Sequence, residues 1–229
     1  MLVCIGVPIF AFGLYHYQQF SGRESFRIAV FNVLSALSTT GYSTIEYTDL
    51  PSVSLGIIIM LMIIGGGVGS TAGGLKLERV YVCMKLVVQN FHSRVYPSRS
   101  IHPGYYYKAQ GKSMIDDKLV RDTTSYVISY VSIVAIGTVL LSMAANCTLV
   151  EAMFEFASAF GTVGLSIGIT KQDLSATALL IEMIAMLLGR LEIFIVFISF
   201  HAGIELAYHR FSGDHKKLFL RKDKHEPLL

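Results

Sequence analysis

The chain has 229 residues, 53% of them apolar and 15% charged, with a formal net charge of +3. Soluble domains carry about 25% charged residues, so this composition argues against a soluble enzyme, a disordered chain and a nucleic-acid binder. It favours several membrane-spanning segments, and at ~20 residues per crossing helix the length allows roughly four or five.

Taken in chain order, residues 2–15 form an apolar run without a preceding basic region, which makes it a poor signal peptide. The run reads as the tail of a helix whose beginning is missing. Residues 26–38 are amphipathic and lead into a Thr/Gly/Ser-rich turn at 39–43. A second apolar stretch, 55–88, is interrupted by a glycine run at 65–74. These pieces form a first unit over 1–90. A basic loop follows at 91–118, with Tyr105, Tyr106 and Tyr107 expected at the membrane interface. The second unit covers 119–209: an uncharged span at 123–145, a short amphipathic segment at 149–161, a turn at 162–166, and a helix at 175–207. A basic tail, 210–229, completes the chain.

The two amphipathic segments are each thirteen residues long. As helices they would measure about 20 Å, short of the ~30 Å hydrocarbon core. They suit half-helices that enter the membrane and turn back. Nine of the nineteen Lys and Arg residues lie between Lys76 and Arg121, and six more between Arg210 and Lys224. By the positive-inside rule both regions are cytoplasmic, so the half-helices enter from outside. Cys4, Cys83 and Cys147 have neither metal nor disulfide spacing and are expected as single buried thiols. The seven histidines form no close motif, which disfavours a membrane enzyme.

Self-comparison finds a repeat. Residues 31–44 align with 154–167 at a constant offset of 123, with six of fourteen positions identical. Each unit therefore reads as helix, half-helix, Thr-x-Gly turn, helix. Irregular backbone at membrane depth is tolerated only where protein buries it or where it lines a wet cavity. Gly41 and Gly164 permit backbone angles closed to other residues. The half-helices end at the turns, so their negative dipole ends favour a cation. Carbonyl oxygens of such turns can replace the hydration shell of potassium. The candidate ion-binding residues are Thr39, Thr40, Gly41 and Tyr42 in one copy and Thr162, Val163, Gly164 and Leu165 in the other.

The glycine run holds six of the twenty glycines in ten residues. At ~1 kcal/mol per glycine against alanine it breaks the helix after the first turn. It fails as a phosphate loop, because Leu75 and Lys76 stand where Lys and Ser/Thr are required. A loop of small residues beneath the turn could gate it, or could serve close helix packing. The gate candidates are Gly65, Gly66, Gly67, Gly69, Ser70, Thr71, Gly73 and Gly74, with Arg190 inside an apolar stretch. An intramembrane arginine is costly and is rarely idle. Either it faces the pore beside the glycine loop, or it belongs to a buried ion pair, with Glu182 a candidate partner.

Ser38-Thr39-Thr40-Gly41-Tyr42, the run from Gly65 to Lys76, and Leu187-Leu188-Gly189-Arg190-Leu191-Glu192-Ile193-Phe194 resemble the Trk/Ktr/HKT potassium-transporter superfamily. The resemblance is strongest to the C-terminal half of its Trk-type (TrkH/TrkG) membrane subunits. It implies an all-α polytopic membrane protein with two helix–pore loop–helix repeats, half of a four-repeat, potassium-channel-like pore. It further implies potassium uptake through a carbonyl-lined filter, gated by the glycine loop and Arg190, with sodium a possible second ion. The implied setting is multi-pass in the bacterial plasma membrane, among membrane lipid, with the tail in the cytoplasm. Implied partners are a cytosolic nucleotide-binding regulatory subunit of the TrkA type and either a second copy of the chain or a missing N-terminal half. No covalently bound cofactor and no nucleic acid are expected. The alternative is a membrane fragment or interaction subunit that conducts nothing until a partner half completes the pore.

Overall fold

The structure is a computed structural model that describes residues 2–18, 20–67, 69–95, 105–108, 111–114, 116–171, 174–190, 198–199 and 202–204. The chain separates into two units, Met1–Arg190 and Leu191–Leu229. Of the second unit only residues 198–199 and 202–204 are described, and these are helical. The rest of the expected helix beyond 190, the Leu191–Phe194 part of the family-like motif and the basic tail fall outside the described residues, as does Val68.

The first unit contains α1 (Leu2–Tyr17), α2 (Gly22–Leu37), α3 (Ser52–Ile64), α4 (Leu77–Val95), α5 (Asp117–Ala145), α6 (Leu149–Phe160) and α7 (Ala176–Arg190). Local chemistry sets several of these ends. The Ser21 side chain accepts from the Glu24 amide at 3.4 Å and caps α2, with Glu24 in its first turn. This cap starts α2 four residues before the expected 26, because a polar first turn is a start signal rather than loop. Thr148 and Glu151 close a reciprocal capping box at the head of α6. Asn146 takes the left-handed conformation that ends α5, with φ of 51°.

Two helix groups follow the repeat. Helices α1, α2 and α3 pack on one another, and so do α5, α6 and α7. Helices α3 and α6 join the groups, and α4 lies on α5. One core runs through the join: Phe10 and Leu14 of α1, Val33 of α2, Ile58 and Met62 of α3, and Phe154 and Ala157 of α6. Close van der Waals packing of these side chains joins the groups. Helix α5 is long and apolar enough to cross a membrane, while α1 and α3 are apolar but shorter. Exposed Ile128, Val131, Ile136, Val139 and Met143 cover α5 on the side away from this core.

The all-helical expectation holds for these segments but misses a hairpin in the basic loop. Strands β1 (Tyr105–Lys108) and β2 (Gly111–Met114) pair antiparallel, Tyr105 opposite Met114 and Lys108 opposite Gly111. The three tyrosines expected at the interface are thus β1 residues, consistent with the strand preference of tyrosine. The thiols are less buried than expected: Cys4 is exposed, and Cys83 and Cys147 are half-buried.

Candidate functional site

Both Thr-x-Gly turns adopt one backbone path. Ser38 and Gly161 end their helices in the right-handed region, with φ of −80° and −72°. Thr39 and Thr162 then turn left-handed, with φ of 54° and 53°, and Gly41 and Gly164 do so again at 78° and 91°. Left-handed φ is unfavourable for a β-branched residue and persists only where surroundings enforce it. The enforcing bonds are the same in both copies. The Thr40 amide donates to Ser35 O and the Val163 amide to Ser158 O, each at 2.9 Å. The Thr39 and Thr162 amides donate to Ala36 O and Ala159 O at 3.3 and 3.1 Å.

The identical serines of the repeat also grip the turns, by different atoms. Ser35 Oγ donates to Tyr42 O at 2.6 Å, whereas Ser158 Oγ accepts from the Gly164 amide at 3.1 Å. The Tyr42 carbonyl is thereby turned back onto α2. Among the described residues, no hydrogen bond ends on the carbonyl oxygens of Thr39, Thr40, Gly41, Thr162, Val163 or Gly164.

The turns meet. A Cβ on Gly41 would overlap the Val163 carbonyl oxygen, so the two backbones pass in direct contact there. Their side chains differ in surroundings. Val163, Leu165 and Ile167 sit in the common core, while Thr40, Tyr42 and Thr44 are exposed. Phe154 is fully buried beside Tyr47, with ring centroids 5.0 Å apart, while its repeat counterpart Phe31 is exposed.

The glycine loop lies against the second turn. It leaves α3 at Gly65 and folds back, so that the amides of Leu75, Lys76 and Leu77 donate to Ile63, Ile64 and Gly66 carbonyls at 2.9 to 3.0 Å. These bonds satisfy carbonyls that a broken helix leaves open. The outer bend is fixed by Ser70, whose amide and hydroxyl both donate to Gly67 O, at 3.3 and 2.6 Å. Gly69, Ser70 and Thr71 are exposed. A Cβ on Gly73 would overlap the carbonyl of Gly161 and approach Thr162 Oγ1, and the backbones of Gly65, Gly73 and Gly74 touch. Gly66 lies beside Ala72 and Ser70, with Leu37 O next. Close packing thus accounts for much of the glycine content.

Arg190 ends α7, exposed rather than buried, and its Nη1 donates to the Thr71 carbonyl at 3.0 Å. The buried ion pair is not what forms. Glu182 instead accepts from Thr170 Oγ1 at 3.0 Å, two helical turns from Arg190.

Residues overlooked in the sequence brace both turns from behind. Buried Asn32 on α2 accepts through Oδ1 from Ser43 Oγ at 3.1 Å and Tyr47 Oη at 2.9 Å. Its Nδ2 donates to Thr44 Oγ1 at 2.9 Å. Position 155 is the repeat counterpart of 32. There buried Glu155 accepts from Ser166 Oγ and from the Thr170 amide at 3.1 Å. The available signal was a polar residue at a helix-interior position in both copies, followed by polar residues at 43 and 166 and at 47 and 170.

With this geometry in view, comparison with known proteins defines the class: a cation transport protein. Residues 7–206 match the TrkH family, described as cation transport protein, and the chain belongs to that family. It is 29% identical over 172 residues to an uncharacterized cation transporter of Methanocaldococcus jannaschii, covering 75% of this chain and 35% of that protein. It is 29% identical over 216 residues to the Ktr system potassium uptake protein D of Bacillus subtilis, covering 91% of this chain and 44% of the relative. The fold matches the crystal structure of the potassium transporter TrkH from Vibrio parahaemolyticus with a TM-score of 0.72, at 22% identity, over 86% of this chain and 42% of that one. The chain thus spans about two-fifths of the length of these relatives. The family is one of transporters, not of enzymes.

Proposed function

We propose that this chain builds half of the wall of a potassium-conducting membrane pore and takes part in potassium uptake. The observation that carries this reading is the pair of left-handed Thr-x-Gly turns, 123 residues apart, in backbone contact at Gly41 and Val163. Carbonyl oxygens that accept no hydrogen bond among the described residues, at the ends of two half-helices whose turns touch at Gly41 and Val163, suit a dehydrated monovalent cation. Thr39, Thr40, Gly41, Thr162, Val163 and Gly164 supply those oxygens; Tyr42 and Leu165 set the spacing. Potassium is the preferred ion because the relatives with assigned transport are potassium uptake proteins, and one is a potassium/sodium uptake protein. In this reading the loop Gly65–Gly74 is the gate beneath the second turn, and Arg190 latches it through Thr71.

The pore is completed by further repeats, from an N-terminal half or from a second copy. The chain sits in the bacterial plasma membrane, with the basic loop and tail facing the cytoplasm. There a nucleotide-binding regulatory subunit of the TrkA type would dock on them.

The test is growth of a potassium-uptake-deficient cell at low potassium. The chain is expressed alone and together with a candidate N-terminal half, with membrane insertion verified. Growth with both halves supports the pore. Absence of rescue in both arms sinks it in favour of a non-conducting interaction subunit. One observation keeps that second reading in play for the chain by itself: Phe31 and Tyr42 are exposed where their counterparts Phe154 and Leu165 are buried by the neighbouring group.

A further inference from the structure

We infer that Asn32 and Glu155 are equivalent positioning residues that aim the two turns and so hold the filter's discrimination between potassium and sodium; this rests on the pore reading above. Each occupies the same place in its half-helix, 123 residues apart, and each is nearly solvent-free, at 0% and 4% exposure. Each reaches forward to the chain just past its Thr-x-Gly turn, and to the same two repeat positions. Asn32 takes Tyr47 Oη at 2.9 Å and shares the hydroxyl of Ser43, 3.1 Å away, with the Ile45 carbonyl at 2.5 Å. Glu155 takes Ser166 Oγ, with the Thr170 amide at 3.1 Å and Thr170 Oγ1 at 3.0 Å. The serines repeat one further detail: Ser43 Oγ accepts from the Ile45 amide at 3.2 Å, and Ser166 Oγ from the Gly168 amide at 2.9 Å.

Identical connectivity from non-identical side chains points to the bond pattern as the preserved feature. A turn fixed at its helix end by Ser35 or Ser158, and at its far end by position 32 or 155, has little freedom in carbonyl direction. Discrimination between potassium and sodium depends on that direction and on its stiffness.

The two struts differ in donor chemistry. The amide of Asn32 both accepts and donates, closing on Thr44 Oγ1 and on Ile28 O at 2.9 Å each. Glu155 accepts in every bond it makes here. Its anchor is shared: Thr170 Oγ1 lies 3.0 Å from Oε1 of Glu155 and of buried Glu182 on α7, and its single proton serves one carboxyl at a time. The second turn is therefore tied to the following helix as well as to its own half-helix.

The experiment uses the assembled pore: the chain with its completing half, in vesicles, with potassium and sodium flux measured separately. Asn32→Ala and Glu155→Ala are expected to lower the potassium-to-sodium ratio about tenfold while cations still pass. Glu155→Gln keeps an acceptor oxygen in place and is expected to restore most of the ratio. Ser43→Ala and Ser166→Ala each remove one strut bond and give smaller shifts in the same direction, so they decide the matter if the alanine variants at 32 and 155 fail to fold. Lower flux with an unchanged ratio across the folded variants overturns the inference, because that is the result of a purely structural role. Absence of potassium flux in the unsubstituted assembly overturns the pore reading itself and the inference with it.

Discussion

Arg190, the last residue of α7, donates from Nη1 to the carbonyl oxygen of Thr71, 3.0 Å away and 119 positions earlier in the chain. The bond joins the end of the second helix group to the exposed bend of the glycine loop. A charge-assisted bond of this kind contributes about 1.5–3 kcal/mol when well shielded, and less at an exposed site. Removing it in Arg190→Ala should free residues 69–74 first, since the bonds of Leu75–Leu77 to α3 remain. The expected outcome is faster amide exchange in the loop and a change in potassium uptake or its regulation. Unchanged uptake together with unchanged exchange would remove Arg190 from the gate.

The head of α6 yields a second prediction. Glu151 accepts from the Thr148 amide at 3.0 Å and from Thr148 Oγ1 at 2.7 Å. These bonds, the hydroxyl's first, hold its carboxyl below the usual carboxylate range. A group with a lowered folded-state pKa contributes stability above its unfolded value and loses it as pH falls through the folded one. Thr148→Ala should therefore cost about 1 kcal/mol at neutral pH. The gap to the unsubstituted chain should narrow as pH falls below the ordinary glutamate value and through the lowered folded one, where the carboxyl protonates. It should not close, because Thr148 Oγ1 also accepts from the Glu151 amide. Thermal unfolding in detergent at neutral and at acid pH checks this; an equal gap at each would mean the bond from the Thr148 hydroxyl to the carboxylate contributes nothing.

How much could be read in advance depends on what a residue type reveals by itself. Gly41 and Gly164 stand out in the repeat because a left-handed turn restricts what can occupy it, while Thr39 and Thr162, whose branched side chains disfavour that conformation, stand out only as identities between the copies. The break at Gly65 is legible for the same reason. Asn32 and Glu155 are not, since their shared task is a bond pattern that an amide and a carboxylate can both meet; counting identities passes over them. The early start of α2 was hidden by Gly22, Arg23 and Glu24, whose polarity reads as loop until Ser21 is recognised as its cap. In the basic loop, the lysines and arginines spoke to topology and masked the pairing of Tyr105–Lys108 with Gly111–Met114. The docking of Arg190 on Thr71 is a contact over 119 positions, and no local pattern encodes it.

Two glycines, on α5 and α7, test the packing of the second group. A Cβ on Gly137 of α5 would run into the Phe156 ring, and one on Gly189 of α7 into the Phe160 carbonyl. At an exposed helix position Gly→Ala gains about 1 kcal/mol. Here overpacking at about 1–3 kcal/mol reverses the sign. Gly189→Ala should cost more than Gly137→Ala, because a ring can swing aside and a backbone carbonyl cannot. It should also disturb uptake, by displacing the adjacent Arg190. Melting temperatures of the two variants, with uptake measured beside them, decide it; stabilisation by either would contradict the packing.

Gly41 and Gly164 hold equivalent places, yet their surroundings differ. A Cβ on Gly41 meets the Val163 carbonyl, while among the described residues nothing lies within 4 Å of one on Gly164. Both have positive φ, so alanine at either is strained by about 1–2 kcal/mol. In the chain alone, Gly41→Ala adds backbone overlap to that strain and should be clearly the more destabilising. If further repeats complete a ring, each turn gains a neighbour of the same kind, and Gly164 meets a carbonyl as Gly41 does. The difference in stability should then shrink once the completing half is present, and both substitutions should abolish selective potassium uptake. Thermal unfolding of each variant, alone and in the assembly, reads this directly. A gap of the same size in both states would mean that nothing packs beside Gly164, and the ring would have to be abandoned.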